Sequence, residues 1–128
     1  MTRCKVLVVE DEPLIAFDIA SMLDSLGCDT VGPVARLSDA LSIVETETFD
    51  CAILDINVRG GYITPVAEIL LDRHVPVLLA TGYSDGAIPC TLLGQARLTK
   101  PYTSEQLERG LRLLCSQIAG SEHLKVAH

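Results

Sequence analysis

Long apolar runs, paired cysteines and excess positive charge are all missing from this sequence, and each absence excludes a class of protein. No stretch approaches the roughly 20 consecutive apolar residues that a membrane-spanning helix requires. The apolar run Val6–Val9 is short and ends in acid, unlike a signal peptide. Lys and Arg number 10 against 17 Asp and Glu, giving a formal charge of −7. That balance argues against an electrostatic grip on DNA, RNA or an anionic membrane. It fits a cytoplasmic protein that binds metal ions or protein partners. The five cysteines, Cys4, Cys28, Cys51, Cys90 and Cys115, are odd in number and form no C-x-x-C pair. They read as small apolar fillers in a reducing compartment rather than as a disulfide framework or a zinc site. There is no internal repeat, linker or low-complexity segment. What remains is 128 residues, 48% of them hydrophobic, enough for one domain with a real core.

The order of elements is legible. Cys4–Val9 reads as a strand buried on both faces. Pro13 suits a first helical turn, Leu14, Ile15, Phe17, Ile19, Met22 and Leu23 follow at helical spacing, and Gly27 ends the helix. Asp29–Val34 is a weaker strand with Pro33 at its exit. Ser38 is placed to cap a helix running to about Thr46, with Ala40, Leu41 and Val44 inward. Cys51–Leu54 is a third strand, with Asp55 at its end. Gly60-Gly61 breaks the chain before a helix over Pro65–Asp72, buried through Val66, Ile69 and Leu70. Val75–Ala80 and Ala96–Thr99 are the remaining strands. Between them, residues 82–94 hold too much Gly and Pro for more than a short, mobile helix. Ser104 is placed to cap the last helix, whose stripe is Leu107, Leu111, Leu114 and Ile118. Residues 1–120 form one domain and 121–128 a tail. This alternation of β and α predicts a parallel sheet with helices on both faces, and such sheets place their sites at the carboxyl ends of the strands.

That rim carries Glu10 and Asp11, then Asp55, then Thr81, then Lys100. Taken singly, each has an ordinary explanation as solvated charge or as a loop residue. Taken together, four of five strand ends bearing this acid, hydroxyl and amine set exceed what chance placement gives. Three crowded carboxylates each resist ionising. A hard cation such as Mg²⁺ relieves them and keeps the rest of its shell for water or phosphate. The cluster therefore reads as an open magnesium site with room for a phosphoryl group.

The segments VLVVEDEP (Val6–Pro13), LDINVRG (Leu54–Gly60), LATGY (Leu79–Tyr83) and LTKPYT (Leu98–Thr103) resemble, in this order, the response-regulator receiver family. The resemblance implies a flavodoxin-like (βα)5 fold, a doubly wound five-stranded parallel sheet of order 2-1-3-4-5. It implies that Asp55 accepts the phosphoryl group from a histidine kinase or phosphotransfer protein. Glu10, Asp11, Asp55 and the backbone carbonyl of Asn57 would hold Mg²⁺. Thr81 would bond a phosphoryl oxygen, and Lys100, aimed by a cis bond to Pro101, would pair with the phosphate or with Asp55. Many family members carry an aromatic switch three residues before the lysine; here that position is Arg97. LATGYSD resembles the FATGUY subgroup of single-domain receivers, with Leu79 in place of the name-giving Phe. Tyr83 is then either a switch moving with Thr81 or a cover over its loop.

Several alternatives accompany this reading. An aspartate-dependent phosphatase needs a second acid two residues after the nucleophile, and here Asn57 stands there. The chain is accordingly expected to be no enzyme. A nucleotide or flavin binder would want glycine, not acid, in the first turn. A receiver cut from a larger regulator or hybrid kinase, and a phosphorylation-independent docking module, both stay open. Output would pass through a downstream protein partner, with no nucleic acid or membrane involved, and a homodimer stays open too. Leu92, Leu93 and Leu113 read as either a partner surface or extra core. Tyr102 is expected to pack on the sheet edge and Tyr62 to stand at the start of the third helix. His74, His123 and His128 share no metal-like spacing.

Overall fold

The Val-, Ile- and Leu-rich runs pair in parallel, and their alternating side chains serve two cores at once. A computed structural model describes residues 3–82 and 88–117. The order is β1 (Cys4–Val9), α1 (Pro13–Ser25), β2 (Cys28–Val34), α2 (Leu37–Thr46), β3 (Cys51–Asp55), β4 (Asn57–Val58), β5 (Gly61–Tyr62), α3 (Thr64–Asp72), β6 (Val77–Thr81), a 3₁₀ turn (Cys90–Leu92), β7 (Ala96–Thr99) and α4 (Ser104–Ser116). The main sheet runs β2-β1-β3-β6-β7. Counting only its five strands, this is the expected 2-1-3-4-5 order.

Successive strand residues point to opposite faces. Leu7, Val9, Leu54 and Leu79 meet Ala40 and Val44 of α2 and Val66, Ala67 and Leu70 of α3. Val6, Val8, Ile53 and Leu78 meet Ile19 and Leu23 of α1 and Leu107, Leu111 and Leu114 of α4. Each such large side chain contributes about 1.5–3 kcal/mol when fully buried. Gly110 lets α4 lie close to the sheet, since a Cβ there would stand 3.2 Å from Leu78 Cδ2.

Several details correct the sequence reading. Leu14 and Phe17 are not core: they are 79% and 69% exposed. Their run of apolar positions is wider than the face α1 buries. The caps fall one or two residues earlier than expected. α2 begins at Leu37 after Arg36, without a side-chain cap. Thr103, not Ser104, caps α4: its hydroxyl accepts from Gln106 N at 3.1 Å, and the Gln106 side chain accepts from Thr103 N at 2.8 Å. That reciprocal pair is worth about 1 kcal/mol. β2 starts at Cys28, one residue early, and β6 starts at Val77, because Pro76 has no N–H and lends only its carbonyl, to Ala52 N at 3.0 Å. The small antiparallel hairpin β4–β5 was not foreseen. Leu92 is fully buried core, whereas Leu93 and Leu113 are exposed. Tyr62 is exposed just ahead of α3, and Tyr102 packs against the α1–α4 face. Tyr83, Ile118 and the expected tail 121–128 lie outside the described residues.

One glycine ties the fold to the rim. Gly32 has φ +98°, and a Cβ there would meet Val34 N at 2.9 Å and Val8 O at 3.0 Å, both unyielding backbone. This close approach lies where the β1–β2 register shifts between Leu7 and Val9. Just beyond, Val34 O accepts from Glu10 N at 3.0 Å, so the path of β2 holds the backbone of Glu10.

Candidate functional site

Each functional side chain is delivered by a strand that ends at the same rim. β1 gives Glu10 and Asp11, β3 gives Asp55 in register with Ala80, and β6 ends at Thr81 in register with Thr99. Lys100 follows at once, and its N–H donates to Thr81 O at 2.6 Å. The Lys100–Pro101 bond is cis, as the resemblance implied.

The carboxylate oxygens of Glu10, Asp11 and Asp55 approach within 4.8 Å of one another. Lys100 reaches into this cluster. Its Nζ lies 2.9 Å from Asp55 Oδ2 and 3.0 Å from Glu10 Oε1. Asn57 enters through its backbone N–H, which donates to Asp55 Oδ1 at 3.2 Å, and Glu12 N donates to Glu10 Oε2 at 3.1 Å. Glu10 and Asp55 are buried, and Asp11 is half-buried.

Burial sets the electrostatics. Desolvation, then the charge of Asp55, push Glu10 from its ordinary 4.5 up to about 7. Desolvation also raises Asp55, against the pull of Lys100. For Lys100 burial works downward, but its bonds to Asp55 and Glu10 outweigh that and raise it. One ammonium thus faces three carboxylates, and Glu10 Oε1 is buried without an aligned hydrogen bond. That oxygen has the Lys100 ammonium 3.0 Å away but no hydrogen bond, so its burial is only partly compensated. A divalent cation fits here: it balances the remaining charge, and a small hard ion prefers oxygen donors at about 2.0–2.1 Å. Since Glu10 takes up a proton near 7, magnesium should bind more tightly at about pH 8 than at about pH 6. Calorimetric titration at both pH values checks this; equal affinity would exclude Glu10 from the ligand set.

The structure therefore brings together Glu10, Asp11, Asp55 and Lys100, with Thr81 and Asn57 at the margin. Arg97, at the position where an aromatic switch was missed, is exposed, and its guanidinium donates to Leu93 O at 3.5 Å. The exposed apolar pair Leu14 and Phe17, on the helix that begins two residues after Asp11, was not legible from the apolar spacing, which counted both as core. Of the described residues, no helix is long and apolar enough to cross a membrane.

Comparison with known proteins agrees with this geometry. Residues 6–112 match the response regulator receiver domain. The chain belongs to that family, the receiver modules of two-component signalling. It is 30% identical over 121 residues to the transcriptional regulatory protein PdtaR of Mycobacterium tuberculosis, a match covering 88% of this chain and 57% of that protein. The chain thus spans little more than half of that curated relative. Among solved structures it resembles SdrG from Sphingomonas melonis Fr1, at 40% identity and a TM-score of 0.77, covering 89% of this chain and 98% of that one. It also resembles the BeF3-activated conformation of SdrG from Pseudomonas melonis Fr1, at 41% identity and a TM-score of 0.70, covering 89% and 99%.

Proposed function

We propose that this receiver takes a phosphoryl group onto Asp55 from a phosphohistidine on a histidine kinase or phosphotransfer protein, with Mg²⁺ held by Glu10, Asp11, Asp55 and the Asn57 carbonyl. The observation that carries this reading is the convergence of three carboxylates and one ammonium at the ends of separate strands. A bound divalent ion would supply positive charge against the oxygens of the transferring group. Asp55 Oδ presents the nucleophile. The ammonium of Lys100 neutralises charge on the incoming group, and the Asn57 N–H holds the carboxylate in place. Thr81 would then bond a phosphoryl oxygen, with Tyr83 as switch or cover. The BeF3-activated SdrG relative supports this, because beryllium fluoride mimics a phosphoryl group on an acyl oxygen. The chain is a phosphoryl acceptor rather than an enzyme with a separate substrate. It works in the cytoplasm, consistent with its free cysteines. It signals through a protein partner, because its acidic charge favours neither nucleic acid nor membrane.

A donor protein must cover the rim, and α1 offers Leu14 and Phe17 beside it. Exposed aromatic anchors dominate such contacts. Phe17→Ala should slow transfer from a phosphorylated donor protein about tenfold, with no change in labelling by acetyl phosphate. Time courses with both donors test it. Equal slowing with both would place Phe17 in the fold rather than in the donor contact.

A further inference from the structure

A second cluster stands at the opposite end of the sheet. Cys4, Cys28 and Cys51 are the first residues of β1, β2 and β3, three strands that lie side by side. Cys4 is in register with Cys28, and Cys51 with Val6, two residues along β1 from Cys4. Cys115, near the end of α4, comes down on the same spot and shares their core. Its Sγ is 3.9 Å from Cys4 Sγ, and the Sγ atoms of Cys4, Cys28 and Cys115 all lie within 4.8 Å of one another. Cys51 is buried in the same core. All four residues are buried, and all are free thiols.

Three mutually close sulfurs exceed what a disulfide uses, since it joins two of them at about 2.05 Å. A soft ion with thiolates at about 2.3 Å holds its sulfurs roughly 3.7–4.0 Å apart in tetrahedral or trigonal geometry. The Cys4–Cys115 spacing already matches. Three thiolates around a divalent ion leave one net negative charge. Arg3 lies close by, its guanidinium donating to Cys28 O at 2.8 Å, but it is shared with Asp29 Oδ1 at 2.6 Å and Asp24 Oδ1 at 3.4 Å and offsets that charge only in part. We propose that Cys4, Cys28 and Cys115 bind one Zn²⁺ ion that staples β1, β2 and α4 together.

The ion-free thiols hold their protons. A hydrogen bond to Cys115 pulls the Cys28 thiol down, but the bond to Cys4 and burial outweigh it and hold it at about 11. Binding therefore releases one proton per ligating sulfur, and the ion-free cluster resists oxidation.

The test uses the full chain, purified reduced and metal-free, titrated with Co²⁺ and then Zn²⁺. Sulfur-to-cobalt charge-transfer absorption should saturate at one ion per chain and vanish as Zn²⁺ displaces it. The midpoint of thermal unfolding should rise with Zn²⁺, and rise equally in Asp55→Asn, which separates this cluster from the acid rim. Cys28→Ala and Cys115→Ala should lose the absorption band, and Cys90→Ala should keep it. Should either core variant fail to fold, the band and the proton release of the wild-type chain decide alone. Cobalt binding without a thiolate band, a band that survives both core variants, or no binding at all would overturn the proposal and leave the thiols as core fillers.

Discussion

Asp55→Asn is expected to take up no phosphoryl group from acetyl phosphate, at any magnesium concentration. Asparagine keeps the volume of Asp55 and an oxygen that can accept from Asn57 N, but it has no anionic oxygen to attack phosphorus. The neighbouring acids do not replace it. Glu10 is buried and paired with Lys100, and its proton uptake near 7 leaves it partly neutral. The variant should fold at least as well as wild type. Burial raises the Asp55 pKa, so its charge is a cost to the fold, and its removal also relieves Glu10 of a like charge. Intact mass spectrometry beside a thermal melt checks both halves. A full adduct on a well-folded Asp55→Asn chain would place the acceptor elsewhere.

Lys100→Ala is expected to slow phosphoryl uptake by about 10²–10³, the usual cost of deleting one preorganised charge at a developing anion. Magnesium titration should still saturate, because an ammonium cannot be a metal ligand. Stability should change with pH. Glu10 has a folded value of about 7 against an ordinary 4.5, so the fold favours its protonated form. That contribution is complete below pH 4.5 and is lost as the pH climbs through 7. Lys100 offsets the loss, and its own raised pKa keeps it charged throughout this range. Without it, two buried carboxylates face each other unpaired. The variant should then be roughly 3 kcal/mol less stable than wild type near pH 8 without divalent ions. The gap should narrow near pH 5 and on adding magnesium. Urea unfolding at the two pH values reads this; a gap independent of pH would mean that Lys100 stabilises the fold through its stem rather than its charge.

The sheet was legible because its central strands are fully buried and therefore read as short unbroken apolar runs, as in CAIL over Cys51–Leu54, just ahead of Asp55. The rim followed from topology, since a parallel sheet brings every strand's carboxyl end to one side whatever the loops do. What stayed hidden depends on three-dimensional neighbours. A helical stripe of Leu14, Ile15, Phe17 and Ile19 carries no mark to tell a core position from one left to a partner, and only Ile19 of these proved fully buried. Leu92 and Leu93 are adjacent and chemically identical, yet one is core and the other exposed. Thr103 and Ser104 are equally good caps, and only the reach of Gln106 separates them. The thiol cluster was invisible to spacing because register, not chain distance, assembles it. Its one trace in the sequence is a cysteine at or beside the start of each of the first three strands.

The most direct measurement is chemical mapping of the acceptor. The wild-type chain is incubated with acetyl phosphate and magnesium, any acyl phosphate is reduced with borohydride, and the peptides are sequenced by mass spectrometry. Reduction converts a phosphorylated aspartate to homoserine. Homoserine should appear at position 55 and nowhere else, and should be absent when a chelator removes magnesium. Homoserine at another acid, or at position 55 with equal yield under chelation, would contradict the assignment of Asp55 and its metal-dependent chemistry.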